Sequence, residues 1–101
     1  MKEINSSNFD PAQYDAVVLD IFADWCMPCK ALQPVLEKIA NEMPEVTFLK
    51  IDADSNHEFL QKYNVQAIPT LLFFKSGSLI KKTTGIQTER DIKNIITNLD
   101  S

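Results

Sequence analysis

Trp25-Cys26-Met27-Pro28-Cys29-Lys30 contains both cysteines of the chain, and the other elements can be placed around it. If a helix begins between the two thiols, residues three apart lie on one face, within the Cα separation of about 4.4–6.8 Å that a disulfide requires. A bridge that encloses only two residues removes little entropy from the unfolded chain, so it adds little stability. Reversible redox chemistry therefore explains the spacing better than structural cross-linking does.

Three interpretations of this dithiol compete. A zinc site would need two more thiolates or imidazoles, and the rest of the chain offers only His57, so one chain cannot complete a tetrahedral site. Two unreactive buried thiols are the plain alternative, because cysteine often behaves as a small hydrophobic residue. Pro28 favours redox chemistry, since proline suits a first helical turn. Cys26 would then lie at the helix N-terminus, where N–H groups and the dipole favour a thiolate.

The composition indicates a single globular domain, residues 1–101. Hydrophobic residues make up 45% of the chain and charged residues 24%, a balance unlike that of disordered proteins. With 10 basic and 14 acidic side chains the net charge is -4, and no run of Lys or Arg offers a patch for nucleic acid. The apolar runs are far shorter than the roughly 20 residues of a membrane span, and the N-terminus lacks the apolar core of a secretory signal. We expect a cytoplasmic monomer that binds neither nucleic acid nor membrane.

Apolar patterning predicts strands that alternate with helices. Nearly continuous apolar runs at 17–23 and 71–74 predict buried strands, and a mixed run at 46–51 predicts another. Residues 75–78 predict a hairpin turn into an antiparallel strand at 79–84. Two helices show apolar residues at a period near 3.6, the first after the dithiol and the second capped by Thr88: Leu32, Val35, Leu36, Ile39, Ala40, Met43; Ile92, Ile95, Ile96, Leu99. The order predicts an α/β fold, a central mixed β-sheet flanked by helices on both faces.

Local signals predict three further features. Ser7 is expected to cap a short helix through 8–12. Ser55 and Glu58 have the spacing of a capping box at the start of another helix, and His57 in its first turn is interpreted as a solvated surface residue without a catalytic role. Gly85 indicates a bulge or a close backbone approach.

Two charged residues interrupt the predicted strands. Asp20 lies within an apolar run, where burial would disfavour the carboxylate and raise its pKa. Lys50, in the next predicted strand, is the plausible nearby cation. An aspartate at a strand end that reaches solvent is an equally good interpretation of the same pattern.

These segments together closely resemble the thioredoxin family over nearly the whole chain. A lone Cys-x-x-Cys is a weak signal, whereas one preceded by Trp25, with Asp20 before it and Ile68-Pro69-Thr70 after it, is highly specific. The matching segments are 18–30, Pro34, 48–52, 67–70, Gly77 and Gly85.

The resemblance implies a protein disulfide reductase, in which Cys26 attacks a substrate disulfide and Cys29 resolves the mixed disulfide. Asp20 and Lys50 would be the family's buried acid and its lysine neighbour, with catalytic roles. Ile68-Pro69 would be a cis peptide, and Trp25 would shield the site. By the same likeness the substrate groove comprises Trp25, Met27, Pro28, Ala67, Ile68, Pro69 and Gly85. The chain would bind no cofactor or metal, and its electrons would come from NADPH through a flavoprotein thioredoxin reductase.

The sequence departs from the family pattern at three positions. Met27 replaces a common glycine between the cysteines, which affects partner fit and redox potential but not the thiol chemistry. Ala67 replaces a frequent glycine and slightly narrows the groove, so the range of partner proteins can differ. Phe22 stands where many members carry a second Trp, a conservative apolar change.

Two alternative functions remain open from the sequence. The first is a binding module that docks a partner protein through the groove, with the thiols incidental. The second is a specialised disulfide oxidase or isomerase, although such proteins usually carry a signal peptide. Replacement of both cysteines by serine distinguishes the first alternative from a redox function.

Overall fold

A five-stranded sheet forms the centre of the molecule in the computed structural model, which describes residues 1–100. Three α-helices flank it, which confirms the predicted α/β architecture. The elements are β1 (Lys2–Ile4), β2 (Ala16–Phe22), α1 (Met27–Glu42), β3 (Thr47–Asp52), α2 (His57–Lys62), β4 (Thr70–Lys75), β5 (Ser78–Thr84) and α3 (Glu89–Thr97).

The strand order is β1-β3-β2-β4-β5. The three strands β1, β3 and β2 are parallel, whereas β4 is antiparallel to β2 and β5 is antiparallel to β4. Strand β2 is therefore central, with neighbours on both edges, and its sequence, apolar except for Asp20, matches burial on both faces. The chain leaves β2 at Phe22 and enters α1 at Met27, so the dithiol lies at the carboxyl end of the central strand.

Side chains of β2 alternate between two hydrophobic clusters, one on each face of the sheet. Val18 packs in the cluster that contains the apolar stripes of α1 and α3. Val17, Leu19 and Ile21 pack in the opposite cluster, which includes Phe59 of α2. Because side chains alternate along a strand, Asp20 lies on the same face as Val18, under α1.

Two predicted boundaries are confirmed in detail. Thr88 caps α3, where its hydroxyl oxygen accepts a hydrogen bond from the Asp91 N–H at 3.0 Å and the Asp91 carboxylate completes a capping box. The β4–β5 hairpin turns at Ser76 and Gly77, whose φ angles of 50° and 86° lie in the left-handed region typical of a tight two-residue turn.

The predicted N-terminal helix is wrong. Residues 6–8 form only a turn, and a single 3-10 turn follows at Pro11–Gln13. Asp10 rather than Ser7 caps it, because the Asp10 carboxylate accepts a hydrogen bond from the Ala12 N–H at 3.0 Å. Strand β1 was not expected, since three residues with only Ile4 buried give too short a pattern to recognise.

The predicted capping box at the start of α2 is also wrong. Ser55 ends a 3-10 turn, Ala53–Ser55, that Asp52 caps, and Asn56 occupies the N-cap of α2 without a capping hydrogen bond from its side chain. The amide of Asn56 instead accepts from the N–H of Ser6 at 2.9 Å and donates to the backbone oxygen of Asp52 at 2.8 Å. A partly buried hydrogen bond from Ser6, 50 positions away in the chain, thus replaces the local cap.

Candidate active site

Cys26 and Cys29 form a disulfide at the start of α1, with their Cα atoms 5.3 Å apart. Cys26 is the N-cap residue of the helix, and its Sγ accepts a hydrogen bond from the N–H of Cys29 at 3.2 Å. Pro28 lies in the first turn, as its sequence position predicted. The helix start thus makes the small ring that the spacing allowed, and it aims a backbone N–H at the Cys26 sulfur.

Exposure does not separate the two thiols in this oxidised form, because the exposed fraction is 4% for Cys26 and 2% for Cys29. Their positions do separate them. Cys26 receives the field of the helix N-terminus, which stabilises a thiolate, whereas Cys29 lies one turn inside the helix. Both sulfurs pack with Ala23 and Ile68 in a small apolar cluster.

Asp20 is buried in β2, with 1% of its surface exposed. Its register partners are Lys50 on β3 and Leu71 on β4. Burial raises the pKa of Asp20 to about 7, and this effect is opposed by a hydrogen bond from Gln33 and by the charge of Lys50. The carboxyl is therefore a buried group that changes charge near neutral pH, and the solvent-exposed alternative is excluded.

Lys50 is the β3 neighbour of Asp20, but the ion pairs within residues 1–100 do not include one between these two side chains. Its ammonium lies 5.2 Å from the centre of the Phe22 ring, a cation–π contact. Lys50 also lines a cavity of about 140 Å³ together with Cys29 and Gln33. This cavity brings the second cysteine, the lysine and the hydrogen-bond partner of Asp20 to one place.

Sequence reasoning missed Gln33. Its side-chain nitrogen donates a hydrogen bond to Oδ2 of Asp20 at 2.8 Å. The available signal was its position four residues after Cys29, on the edge of the apolar stripe of α1, where a side chain is only partly exposed.

Trp25 and Met27 form the exposed apolar part of the site, with exposed fractions of 68% and 69%. The Trp25 indole N–H donates to Oδ2 of Asp54 at 2.8 Å, which holds the ring across the turn after β3. No sequence pattern linked these two residues, because 29 positions separate them. Most of the Trp25 surface stays exposed despite this contact.

The Ile68-Pro69 peptide bond is cis, as the resemblance implied. The carbonyl of Pro69 accepts a hydrogen bond from the N–H of Gly85 at 2.8 Å. The close backbone approach expected at Gly85 is wrong, because within residues 1–100 no atom beyond its chain neighbours lies within 4 Å of the place that a Cβ would occupy there. The irregularity in the strand pairing lies instead between Phe73 and Phe74. Gly85 has φ of 90°, a left-handed conformation that favours glycine.

A groove of about 340 Å³ begins at Trp25 and runs between the loop before β4 and helix α2. It includes two residues of the expected substrate groove besides Trp25, namely Ala67 and Ile68. His57 and Leu60 of α2 line its far side, so His57 lies closer to the site than its interpretation as an ordinary surface residue implied. Met27, Pro28, Pro69 and Gly85 lie outside this groove.

Comparison with known proteins places this arrangement in a family. The family model described as Thioredoxin matches residues 1–98. The chain belongs to the thioredoxin family. It is 40% identical over 95 residues to the thioredoxin of Chlamydia trachomatis serovar D, a match that covers 93% of each chain.

Two other thioredoxin-family relatives extend the comparison. A solved structure of a mutant thioredoxin from Halobacterium salinarum NRC-1 superposes with a TM-score of 0.92 at 31% identity, covering 99% of this chain and 90% of that one. The bifunctional thioredoxin reductase/thioredoxin of Mycobacterium leprae is 37% identical, and the match covers 83% of this chain but 19% of that larger protein.

Membership of the thioredoxin family, together with the bonded cysteine pair, identifies the chain as a protein disulfide oxidoreductase. Among residues 1–100 no group of three or more His, Cys, Asp or Glu side chains is placed to hold a metal ion. Within the same range no helix combines the length and apolar character needed to cross a bilayer.

Proposed function

We propose that the chain is a general reductase of protein disulfides, with Cys26 as nucleophile, Cys29 as resolving thiol and Asp20 as proton acceptor. The main observation in support of the proposal is the disulfide at the N-terminus of α1. Cys29 lines a cavity together with Gln33, and Gln33 in turn donates a hydrogen bond to Asp20. A thiolate is the reactive species in disulfide exchange, and the helix N-terminus favours it at Cys26.

The reaction has two exchange steps. In the first, the Cys26 thiolate attacks one sulfur of the substrate disulfide, a mixed disulfide forms, and the other substrate sulfur leaves as a thiolate. In the second, Cys29 gives its proton to Asp20, directly or through one water, and attacks the Cys26 sulfur, which releases the second substrate thiolate and forms the Cys26–Cys29 disulfide. Two electrons pass from the chain to the substrate, and Lys50 moderates the charge that Asp20 carries between the steps.

In this proposal Trp25 and Met27 supply the apolar surface on which a substrate docks, and Ala67, Ile68, Pro69 and Gly85 supply backbone for its recognition. Exposed apolar patches of this kind mark protein interaction sites. Pro28 keeps the dithiol turn in its helical conformation.

A flavoprotein thioredoxin reductase that uses NADPH restores the dithiol in this proposal. Support comes from the Mycobacterium leprae relative, whose name joins a thioredoxin reductase to a thioredoxin in one protein. Such an electron supply suits the reducing cytoplasm, where dithiols are kept reduced. We further propose that residues 1–101 act as one domain, since hydrophobic clusters on both faces share a single sheet, and that this domain works as a monomer.

The direct test is reduction of insulin disulfides, followed as turbidity, first with dithiothreitol and then with NADPH and a thioredoxin reductase. We expect the parent chain to accelerate precipitation with both electron donors, since Cys26 can attack and Cys29 can resolve. The Cys26→Ser/Cys29→Ser double variant is the control, and it should show only the background rate. If the double variant matched the parent, the groove would act by docking and the thiols would be incidental.

The reduction potential should be lower than that of the glutathione couple. Met27 and Pro28 between the cysteines are neutral, so they add no positive charge that would overstabilise the Cys26 thiolate and make the disulfide oxidising. Equilibration in glutathione buffers, with the fraction of oxidised protein read by thiol alkylation, measures the potential. A potential above that of glutathione would instead support the oxidase or isomerase alternative.

A further inference from the structure

Gln33 is the only side chain among residues 1–100 that hydrogen-bonds the buried carboxyl of Asp20. The bond joins Nε2 of Gln33 to Oδ2 of Asp20 at 2.8 Å. The other carboxylate oxygen, Oδ1, is buried and has no hydrogen-bond partner within the described chain. Buried polar atoms are nearly always paired, so a carboxyl held at one oxygen and open at the other requires an explanation.

The position of Gln33 ties this carboxyl to the resolving cysteine. Gln33 lies four residues after Cys29, and residues with this spacing are neighbours on one helix face. Both side chains line the cavity of about 140 Å³ that Lys50 closes on its β3 side. Gln33 therefore contacts the carboxyl on one side and borders the space beside Cys29 on the other.

We propose that Gln33 is a positioning residue of the reaction, which holds Oδ2 of Asp20 and so keeps Oδ1 free to take the proton of Cys29. An amide N–H can only donate, so this contact favours the carboxylate that accepts a proton over the neutral acid. The inference rests on the proposed role of Asp20. It adds that an uncharged residue of α1, rather than Lys50 alone, keeps the base in its working form.

The charged groups around Asp20 are consistent with this role of Gln33. Lys50 faces Asp20 from β3, and its charge lowers the pKa of the carboxyl less than the Gln33 hydrogen bond does. Asp24, Cys29 and Lys30 border the adjoining cavity from the loop after β2 and from α1, and the β4 neighbour, Leu71, is uncharged.

The test replaces Gln33 with Met, which keeps the length and volume of the side chain but removes the donor. The ionisation of Asp20 is followed by ¹³C NMR of its carboxyl carbon in the oxidised protein, where neither thiol titrates, and Asp20→Asn assigns the signal. Loss of a hydrogen bond to a charged group should raise the midpoint by about one pH unit, a tenfold change in proton affinity. Gln61→Met, the same change at an exposed position of α2, is the matched control and should leave the midpoint unchanged.

Kinetics supply the second measurement. Resolution of a preformed mixed disulfide is followed through the fluorescence of Trp25, the single tryptophan of the chain. Gln33→Met should resolve about fivefold more slowly at pH 7, because fewer Asp20 carboxyls are ionised, and should approach the parent rate above about pH 9.

The possible results distinguish the inferred role of Gln33 from the proposed role of Asp20 as base. An unchanged Asp20 midpoint in Gln33→Met overturns the inference whatever the kinetics show. A raised midpoint with parent-like kinetics, while Asp20→Asn is slow, also overturns it, because Gln33 would then tune a group without affecting the reaction. If Asp20→Asn is itself as fast as the parent, the role of Asp20 as base fails instead.

Discussion

Cys29→Ser is expected to accumulate a covalent complex with a disulfide substrate through Cys26, whereas Cys26→Ser is expected to form none. Cys26, the N-cap residue of α1, accepts a hydrogen bond from a backbone N–H and lies at the positive end of the helix dipole. Both effects stabilise a thiolate, so Cys26 forms the attacking thiolate. Without Cys29 the mixed disulfide has no internal thiol to resolve it. Mass spectrometry after reaction with an oxidised substrate, without added reductant, measures the adduct and the cysteine that bears it.

The double variant that lacks both cysteines controls for adducts formed elsewhere, since the chain has no other thiol. We expect nearly complete trapping of Cys29→Ser and background for the other two variants. Trapping through Cys29 in the Cys26→Ser protein, with none in Cys29→Ser, would reverse the assignment of nucleophile and resolver.

Asp20→Asn is expected to be more stable than the parent at pH 7 and above. A carboxyl whose pKa rises from 3.8 in the unfolded chain to about 7 in the fold opposes folding when it must ionise. This rise corresponds to an advantage of about 4 kcal/mol for a neutral replacement that retains the contact with Gln33. Denaturant unfolding of both proteins, with the dithiol in the same redox state, measures the difference.

The stability advantage of Asp20→Asn over the parent should decrease as the pH is lowered. The raised folded pKa gives the parent a stabilising contribution that is fully present below the unfolded pKa of 3.8 and is lost as pH rises through about 7. Asn does not titrate, so the difference between the two proteins should shrink from pH 7 toward pH 4. Asp24→Asn, the same change at an exposed aspartate, is the matched control and should alter stability by no more than about 0.5 kcal/mol.

The same substitution should slow the release of reduced substrate. Cys29 loses the group that takes its proton, and general-base assistance of this kind contributes about 10²–10⁴ in rate, so a slowing of about tenfold or more is expected in single-turnover reduction. A stabilised but slower variant would mark Asp20 as a residue kept for chemistry at the expense of stability. Asp20→Asn that is neither more stable nor slower would contradict both parts of the prediction.

The residues proposed for the chemistry could be predicted because the residues that form each sequence pattern lie close together in the chain. Cys26 and Cys29 are three positions apart, and one helix start brings them together without help from the rest of the chain. Asp20 was visible as a charge within an apolar strand, and its burial between two neighbouring strands is confirmed. The resemblance added the cis peptide at Pro69, which spacing and composition could not have indicated.

Signals at the ends of elements were less reliable. The predicted caps at Ser7 and Ser55 failed because Asp10 and Asp52 supply carboxylates that bond nearby N–H groups, and because Asn56 bonds to Ser6 instead of capping its own helix. Several side chains can satisfy the same backbone donor, and the choice depends on where the rest of the chain passes.

The sequence alone determined the dithiol, the α/β alternation and the strands that enclose Asp20, because periodic burial and the i,i+3 spacing are local properties of the chain. Only the tertiary structure placed Gln33 on Asp20, Asp54 on the Trp25 indole and His57 along the groove beside Ile68. Each of these contacts joins residues from different elements. The distances between these residues depend on how α1 packs on β2 and on how the loops cross the end of the sheet. Spacing along the chain therefore cannot predict these contacts.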